Sequence, residues 1–153
     1  DEVVALIRGQ TLLNIELKGT DCAPHVAHKL RTYHNSGLHP YEKVLISSFD
    51  HHQLAWFAQH MPEVKRGALI AHIPLDYASC ATALGAFSLN IDVDSVNSAL
   101  VADAHTRGLK VFVYTVNHED DIAQLIDHGI DGIFTDVPSI AQAVRSKHHH
   151  SSV

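Results

Sequence analysis

The stretch ALVADAHTRGLKVFVYTVN, residues 99–117, predicts a helix followed directly by a strand. The helix is expected over 95–108 and ends at Gly108, because glycine is the residue that most often follows the last turn of a helix. The run at 110–116 is short, rich in β-branched residues and apolar on both faces. This pattern is typical of a strand in a parallel sheet that helices cover on both sides. The stretch therefore indicates an α/β fold.

The same alternation runs along the whole chain. Strands are predicted at 11–17, 43–47, 67–71, 88–93, 110–116 and 131–135. Helices are predicted at 1–9, 23–37, after Asp50 with Leu54, Phe57 and Met61 buried, and at 76–85, 95–108, 118–129 and 138–147. Six such units predict either an open doubly wound sheet or a (β/α)8 barrel. A nucleotide site is not favoured, because no strand is followed by a glycine-rich phosphate loop.

Composition and charge limit the function classes. With 153 residues the chain is large enough for one domain with a real core, expected over 1–147 and followed by a tail at 148–153. The net charge of −6 and the scattered basic residues argue against nucleic acid. No apolar run approaches the ~20 residues of a membrane helix, and no signal peptide is visible. Cys22 and Cys80 form no CxxC pattern, so we expect free thiols and a cytoplasmic location.

Polar side chains gather where the predicted strands end. Glu16 and Lys18 are two residues apart at the end of the first strand and therefore lie on one face. Active sites of parallel α/β folds lie at the carboxyl ends of the strands, so a binding site is expected there. The other polar or aromatic candidates at these ends are Ser48, Phe49, Asp50, Asp92, Asp94, Tyr114, Asn117, Thr135 and Asp136.

Each of these residues also has a structural alternative, and spacing alone does not decide between the two. The alternatives are an ion pair for Glu16 with Lys18, helix caps for Ser48, Asp50, Asp92, Asp94, Asn117 and Asp136, a core aromatic for Tyr114, and a structural role for His105.

Four ordered motifs are similar to those of a known family. LNIELKG (13–19), LISSFDHHQL (45–54), ALVADAHTRGLKVFVYTVN (99–117) and GIDGIFTDVP (129–138) together resemble the C-terminal two-thirds of glycerophosphodiester phosphodiesterases. The resemblance implies a (β/α)8 barrel, incomplete here because about six of its eight strands are present. It also implies hydrolysis of small-molecule glycerophosphodiesters to glycerol 3-phosphate and an alcohol, with a divalent metal, Mg²⁺ or Ca²⁺.

The resemblance also implies roles for individual residues. Tyr114 stands where the family usually has tryptophan, which puts the preference for the glycerol moiety in question more than the activity. The implied roles are metal ligand for Glu16, phosphate contact and charge stabilisation for Lys18, and substrate binding for Ser48, Phe49, Tyr114 and Asp136.

The family's N-terminal motifs are not in their expected places: there is no HRG on a first strand, no ENT after it, no ExD on a second strand and no HD in the loop that follows. In the family these carry both catalytic histidines and two of three metal carboxylates. Three explanations follow. The chain is the C-terminal part of a longer enzyme, which we prefer, or a short relative that binds a phosphate ligand or a partner without catalysis. Alternatively, a second chain supplies the missing strands, as a homo-oligomer or by pairing with the N-terminal segment.

An open barrel of six strands exposes two strand edges and an apolar interior, which favours pairing with other chains. We therefore expect the isolated chain to self-associate or aggregate. Sedimentation velocity tests this expectation. A compact, stable monomer of 16.8 kDa would contradict it.

Overall fold

A computed structural model describes residues 1–151, which form two compact units. The first unit comprises Asp1–Leu69 and Cys80–Phe87. The second comprises Ile70–Ser79 and the chain from Ser88 onward. Helices and strands alternate in both, as the sequence predicts.

The first unit contains parallel strands in the order β1-β2-β3. Its elements are α1 (Glu2–Ile7), β1 (Leu13–Glu16), α2 (Ala23–Asn35), a 3₁₀ turn (Tyr41–Lys43), β2 (Val44–Ser48), α3 (His51–His60) and β3 (Lys65–Ile70), with α4 (Ser79–Ala83) after them. The pairing places Glu16 opposite Ser47 and Ser47 opposite Gly67. The carboxyl ends of β1 and β2 therefore lie side by side.

Burial explains the central strand and its following helix. Every residue of β2 is buried, as expected for a strand covered on both faces. At the start of α3, Asp50 Oδ1 accepts the His52 N–H, so the predicted cap is confirmed. The predicted apolar stripe of this helix is also confirmed, since Leu54, Phe57 and Met61 are all fully buried.

The second unit contains parallel strands in the order β4-β5-β6. Its elements are β4 (Ser88–Asp92), a 3₁₀ turn (Val93–Ser95), α5 (Ser98–Thr106), β5 (Lys110–Tyr114), α6 (Glu119–Asp127), β6 (Gly132–Ile133) and α7 (Pro138–Ser151). Asp92 pairs with Tyr114, so the carboxyl ends of β4 and β5 are also aligned.

Several boundaries differ from the predicted ones. The helix predicted from residue 95 begins at Ser98, because Asn97 Oδ1 accepts the Leu100 N–H and sets the cap there. The residues before it form a 3₁₀ turn in which Asp92 Oδ1 accepts the Asp94 N–H. The predicted strand at 131–135 is reduced to Gly132–Ile133.

The last helix extends beyond its predicted end at residue 147. α7 covers Pro138–Ser151 and so includes the start of the predicted tail at 148–153, while residues 152 and 153 lie outside the described part. Within the described residues, no helix is both long and apolar enough to cross a membrane.

The amino-terminal end of β5 is held by one carboxylate. Asp131 accepts hydrogen bonds from Lys110 Nζ at 2.7 Å and from the Val111 N–H at 2.8 Å, and its Oδ2 lies 2.9 Å from His105 Nε2. Burial acts to raise the pKa of Asp131, but the hydrogen bonds from Lys110, Val111 and His105 outweigh it and hold the pKa below its usual value. His105 thus has the structural role predicted for it.

The substitution Asp131→Asn tests this linkage, because it removes the charge and keeps the size. At about pH 7 the free energy of unfolding should fall by about 1 kcal/mol, the net worth of one such bond. The native pKa is depressed, so this stabilisation is complete above the unfolded pKa of about 3.9 and is lost as pH falls through the native pKa. Urea denaturation at about pH 7 and about pH 3 should therefore show the two proteins converging in acid. An equal difference at both pH values would contradict this.

Candidate functional site

The end of β1 brings an acid and a base together. Glu16 is the last residue of the strand and Lys18 follows two positions later, so the two side chains share a face. Lys18 Nζ lies 3.6 Å from Glu16 Oε2. The side chain of Lys18 is 78% exposed and that of Glu16 is 31% exposed. The predicted ion pair is therefore present, and both charged groups remain accessible to a ligand.

The energy of this pair decides how to interpret it. An exposed ion pair contributes only about 0–1 kcal/mol, because water screens the charges and two long side chains lose freedom. Stability alone is thus a weak reason for this arrangement. For the same reason, breaking the ion pair costs little free energy, so Glu16 can bind an incoming cation and Lys18 an incoming anion.

Ser48 lies on the other face of β2 from this pair. The preceding residue, Ser47, pairs with Glu16 across the two strands. The side chains of successive strand residues point to opposite faces, so that of Ser48 points away from the face that carries Glu16. Ser48 is fully buried, donates to the Leu17 carbonyl at 2.8 Å and accepts the Asp50 N–H at 3.0 Å. The expected direct contact of Ser48 with substrate needs exposed surface that this side chain lacks. Its observed contacts support the backbone of the site instead.

Phe49 follows Ser48 at the carboxyl end of β2 and is 52% exposed. A large apolar side chain with this much accessible surface directly after a strand can contact a ligand at that end. The substrate role expected for Phe49 therefore remains a prediction that its position allows.

A residue without a predicted role holds the loop that carries Lys18. Gln53, from α3, accepts the N–H groups of Cys22 and Ala23 and donates to the Gly19 carbonyl. The only signal in the sequence is a glutamine three residues after the cap Asp50, which is the spacing of a capping box.

In the second unit, Tyr114 ends β5 and its hydroxyl donates to the Ile70 carbonyl at 2.8 Å. The ring is partly buried. The bond fixes the direction of the ring at the carboxyl end of the strand, and the contact with a glycerol moiety remains a prediction.

The sequence predicted that Asn117 caps α6, but in the structure it does not. The cap position is His118, which makes no side-chain cap bond. Asn117 Oδ1 instead accepts the Asp136 N–H at 2.9 Å, while Nδ2 donates to Asp136 Oδ2 at 2.9 Å. Asn117, after β5, and Asp136, after β6, are thus joined by two hydrogen bonds. This contact is preferred to the cap because it satisfies both the backbone N–H and the carboxylate of Asp136.

The loop after β6 is held by Thr135 as well as by Asn117. Thr135 Oγ1 donates to Asn117 Oδ1 at 3.2 Å and accepts the Val137 N–H at 3.1 Å. Thr135 therefore satisfies a backbone donor at the approach to α7, the role expected of Asp136. The exposed carboxylate of Asp136 is turned towards Asn117.

A divalent metal finds only part of a site in this chain. Glu16 offers accessible carboxylate oxygens, the ligand type that Mg²⁺ and Ca²⁺ prefer. Across the part of the chain that the structure describes, no group of three or more His, Cys, Asp or Glu side chains is placed to hold a metal ion. Mg²⁺ commonly binds through one or two carboxylates together with substrate phosphate and water, so Glu16 fits as one ligand of a shared site.

Sequence comparison finds one family over most of the chain. A profile described as the glycerophosphoryl diester phosphodiesterase family matches residues 11–140. A glycerophosphodiester phosphodiesterase from Bacillus altitudinis is 31% identical over 153 residues, covering 96% of this chain and 62% of the relative. One from Caldanaerobacter subterraneus subsp. tengcongensis is 32% identical over 132 residues, covering 83% of this chain and 52% of the relative. The chain therefore spans only a little over half the length of these relatives.

Solved structures of similar proteins superpose on most of this chain. A crystal structure from Silicibacter pomeroyi DSS-3 matches 97% of this chain and 56% of its own length, with a TM-score of 0.84 and 25% identity. A phosphodiesterase from Oleispira antarctica, solved with the product sn-glycerol-3-phosphate, matches 88% of this chain and 55% of its own length, with a TM-score of 0.77 and 26% identity. The predicted fold class, an incomplete (β/α)8 barrel, is confirmed.

Proposed function

Because the chain belongs to the glycerophosphoryl diester phosphodiesterase family, we propose that the protein containing it hydrolyses glycerophosphodiesters to glycerol 3-phosphate and an alcohol. The observation that carries this proposal is the placement of Glu16 and Lys18 within 3.6 Å at the carboxyl end of a parallel strand. The chemistry of these two groups suits a phosphodiester and a cation, and the Oleispira relative holds the product of this reaction.

Lys18 is the group we assign to the phosphate. Hydrolysis joins the oxygen of water to phosphorus and breaks the bond to the leaving alcohol, so negative charge builds on the phosphoryl oxygens. An ammonium group already placed beside them stabilises that charge as it develops. The high exposure of Lys18 leaves its three N–H donors free to turn from Glu16 towards an anion.

Glu16 is the residue we assign to the divalent metal, Mg²⁺ or Ca²⁺. When bound, such a cation neutralises phosphoryl charge and orients the substrate. The negative charge of Glu16 also attracts the ammonium group of Lys18 before substrate binds, across the 3.6 Å between Nζ and Oε2.

The remaining groups of the reaction come from outside this chain. The sequence has no HRG or HD motif, so we propose that another segment or a second chain supplies the acid, the base and the other metal carboxylates. Phe49 then contacts the substrate at the end of β2, and the substrate contacts expected of Tyr114 and Asp136 remain predictions. We also propose a cytoplasmic location, since Cys22 and Cys80 are free thiols, which persist in reducing compartments.

A binding module without catalysis is the alternative that the sequence left open. We do not adopt it, because the matching relatives from Bacillus altitudinis and Caldanaerobacter are named as phosphodiesterases. The two functions differ in one measurable respect, since a module would bind glycerophosphodiesters without releasing glycerol 3-phosphate.

The proposal predicts the effect of two substitutions in the complete protein. Glu16→Gln and Lys18→Ala should each lower kcat/KM for glycerophosphodiesters by about 100-fold or more, since each removes a charge that acts on the transition state. EDTA should abolish the activity of the wild-type protein, and Mg²⁺ or Ca²⁺ should restore it. A coupled assay for glycerol 3-phosphate gives the rates.

Lys43→Ala is the matched control. Lys43 is an exposed lysine at the amino end of β2, and its Nζ contacts only the Gln10 carbonyl at 3.4 Å among the contacts described for it. Its removal should leave kcat/KM unchanged. Full activity of Glu16→Gln or Lys18→Ala, or activity that EDTA does not affect, would contradict the roles assigned here.

A further inference from the structure

The backbone on both sides of Lys18 is held by hydrogen bonds. The carbonyl of Leu17 accepts from Ser48 Oγ at 2.8 Å, and the carbonyl of Gly19 accepts from Gln53 Nε2 at 2.9 Å. Leu17 also donates its N–H to the Ser47 carbonyl, as a continuation of the strand pairing. The main chain of Lys18 is therefore fixed before and after its Cα, although its side chain is exposed.

Gln53 uses both ends of its amide. Oε1 accepts the Cys22 N–H and the Ala23 N–H, each at 3.1 Å, and also lies 3.2 Å from Cys22 Sγ. Nε2 donates to the Gly19 carbonyl and to Asp50 Oδ2, the latter at 3.4 Å. One buried side chain thus closes the loop between β1 and α2 and satisfies two N–H groups at the start of α2.

The chemistry of this position requires an amide. Gln53 must accept from N–H groups at one atom and donate to a carbonyl at the other, which only a neutral amide of this length does. A carboxylate would still accept from Cys22 and Ala23 but would face the Gly19 carbonyl without a proton to donate.

The local spacing alone points to a different bond. A glutamine three residues after an N-cap ordinarily reaches back to the N–H of the cap residue. Here the Asp50 N–H is already accepted by Ser48 Oγ, at 3.0 Å. The amide of Gln53 is therefore available to bind the neighbouring loop. Ser48 and Gln53 are linked through Asp50, to which both are hydrogen-bonded.

We propose that Gln53, together with Ser48, is a positioning residue that sets the location of Lys18 relative to Glu16 and to the phosphate, an inference that rests on the proposed function. Neither residue touches the substrate. Both act through the backbone of Lys18, because a lysine that stabilises developing charge must start from a defined place, and a misplacement of about 1 Å costs about 100-fold in rate.

Hydrogen exchange tests the contact independently of any activity. In Gln53→Met, which keeps the volume and removes the hydrogen bonds of the amide, the amides of Cys22 and Ala23 should exchange at least about tenfold faster. In Gln53→Glu the acceptor is kept, so these amides should stay protected. Gln59→Met on the same helix is the matched control, since Gln59 is exposed, and it should change neither. Unchanged exchange in Gln53→Met would overturn the inference.

Kinetics of the complete protein then test the positioning role. Gln53→Met and Gln53→Glu should each lower kcat by about tenfold or more with a smaller change in KM, because the lost alignment acts in the transition state. In a Lys18→Ala background, Gln53→Met should change kcat by less than about twofold, because its effect passes through Lys18. Additive effects in this double-mutant cycle would show a merely structural role and overturn the inference.

The exchange and kinetic experiments distinguish a failure of this inference from a failure of the proposed function on which it rests. A wild-type protein that releases no glycerol 3-phosphate refutes the proposed function, and positioning for catalysis then fails with it even if the exchange results agree. An active wild type with unaffected Gln53 variants refutes the inference alone. Gln53→Glu guards against a Gln53→Met variant that fails to fold, because it preserves the bonds to α2.

Discussion

The parallel pairing of β1 with β2 is the constraint on which the candidate site depends. It aligns Glu16 with Ser47 and so places the carboxyl ends of both strands at one edge. The residues after β2 can then reach the residues after β1. Without this register, Ser48 could not hold the Leu17 carbonyl and Gln53 could not hold that of Gly19. The exposed pair Glu16–Lys18 contributes little to stability, so the buried contacts beneath it must supply its order.

Both units use a neutral amide to hold a loop that follows a strand. Gln53 binds the segment after β1, and Asn117 binds Thr135 and Asp136 after β6. An amide suits this task because it donates and accepts at once and carries no charge. A charged residue in either place would compete with Glu16 or Asp136 for cations and anions. In these two loops an amide side chain holds the backbone, and the charged groups of Glu16 and Lys18 remain accessible.

The sequence predicts the strands well and the side-chain contacts poorly, for a physical reason. Runs such as 43–47 and 110–116 are rich in apolar residues; β2 is buried throughout, and in β5 Val111 and Val113 are buried. Ser48, Gln53 and Asn117 each also bond to a residue far along the chain, and local spacing does not predict such bonds. The ion pair of Glu16 with Lys18 is predicted correctly because both residues belong to one strand end, where a period of two decides the face.

The central claim is that Glu16 and Lys18 bind one phosphoester together with a divalent cation. Paramagnetic broadening in the complete protein tests it most directly, with Mn²⁺ in place of Mg²⁺ and with added glycerol 3-phosphate, since carboxylate and phosphate oxygens bind both metals. The claim predicts that the amides of residues 15–19 and the phosphorus signal broaden together, and that Glu16→Gln removes both effects. Broadening confined to other parts of the chain, such as the amino ends of the strands near Lys43 and Lys110, would contradict it.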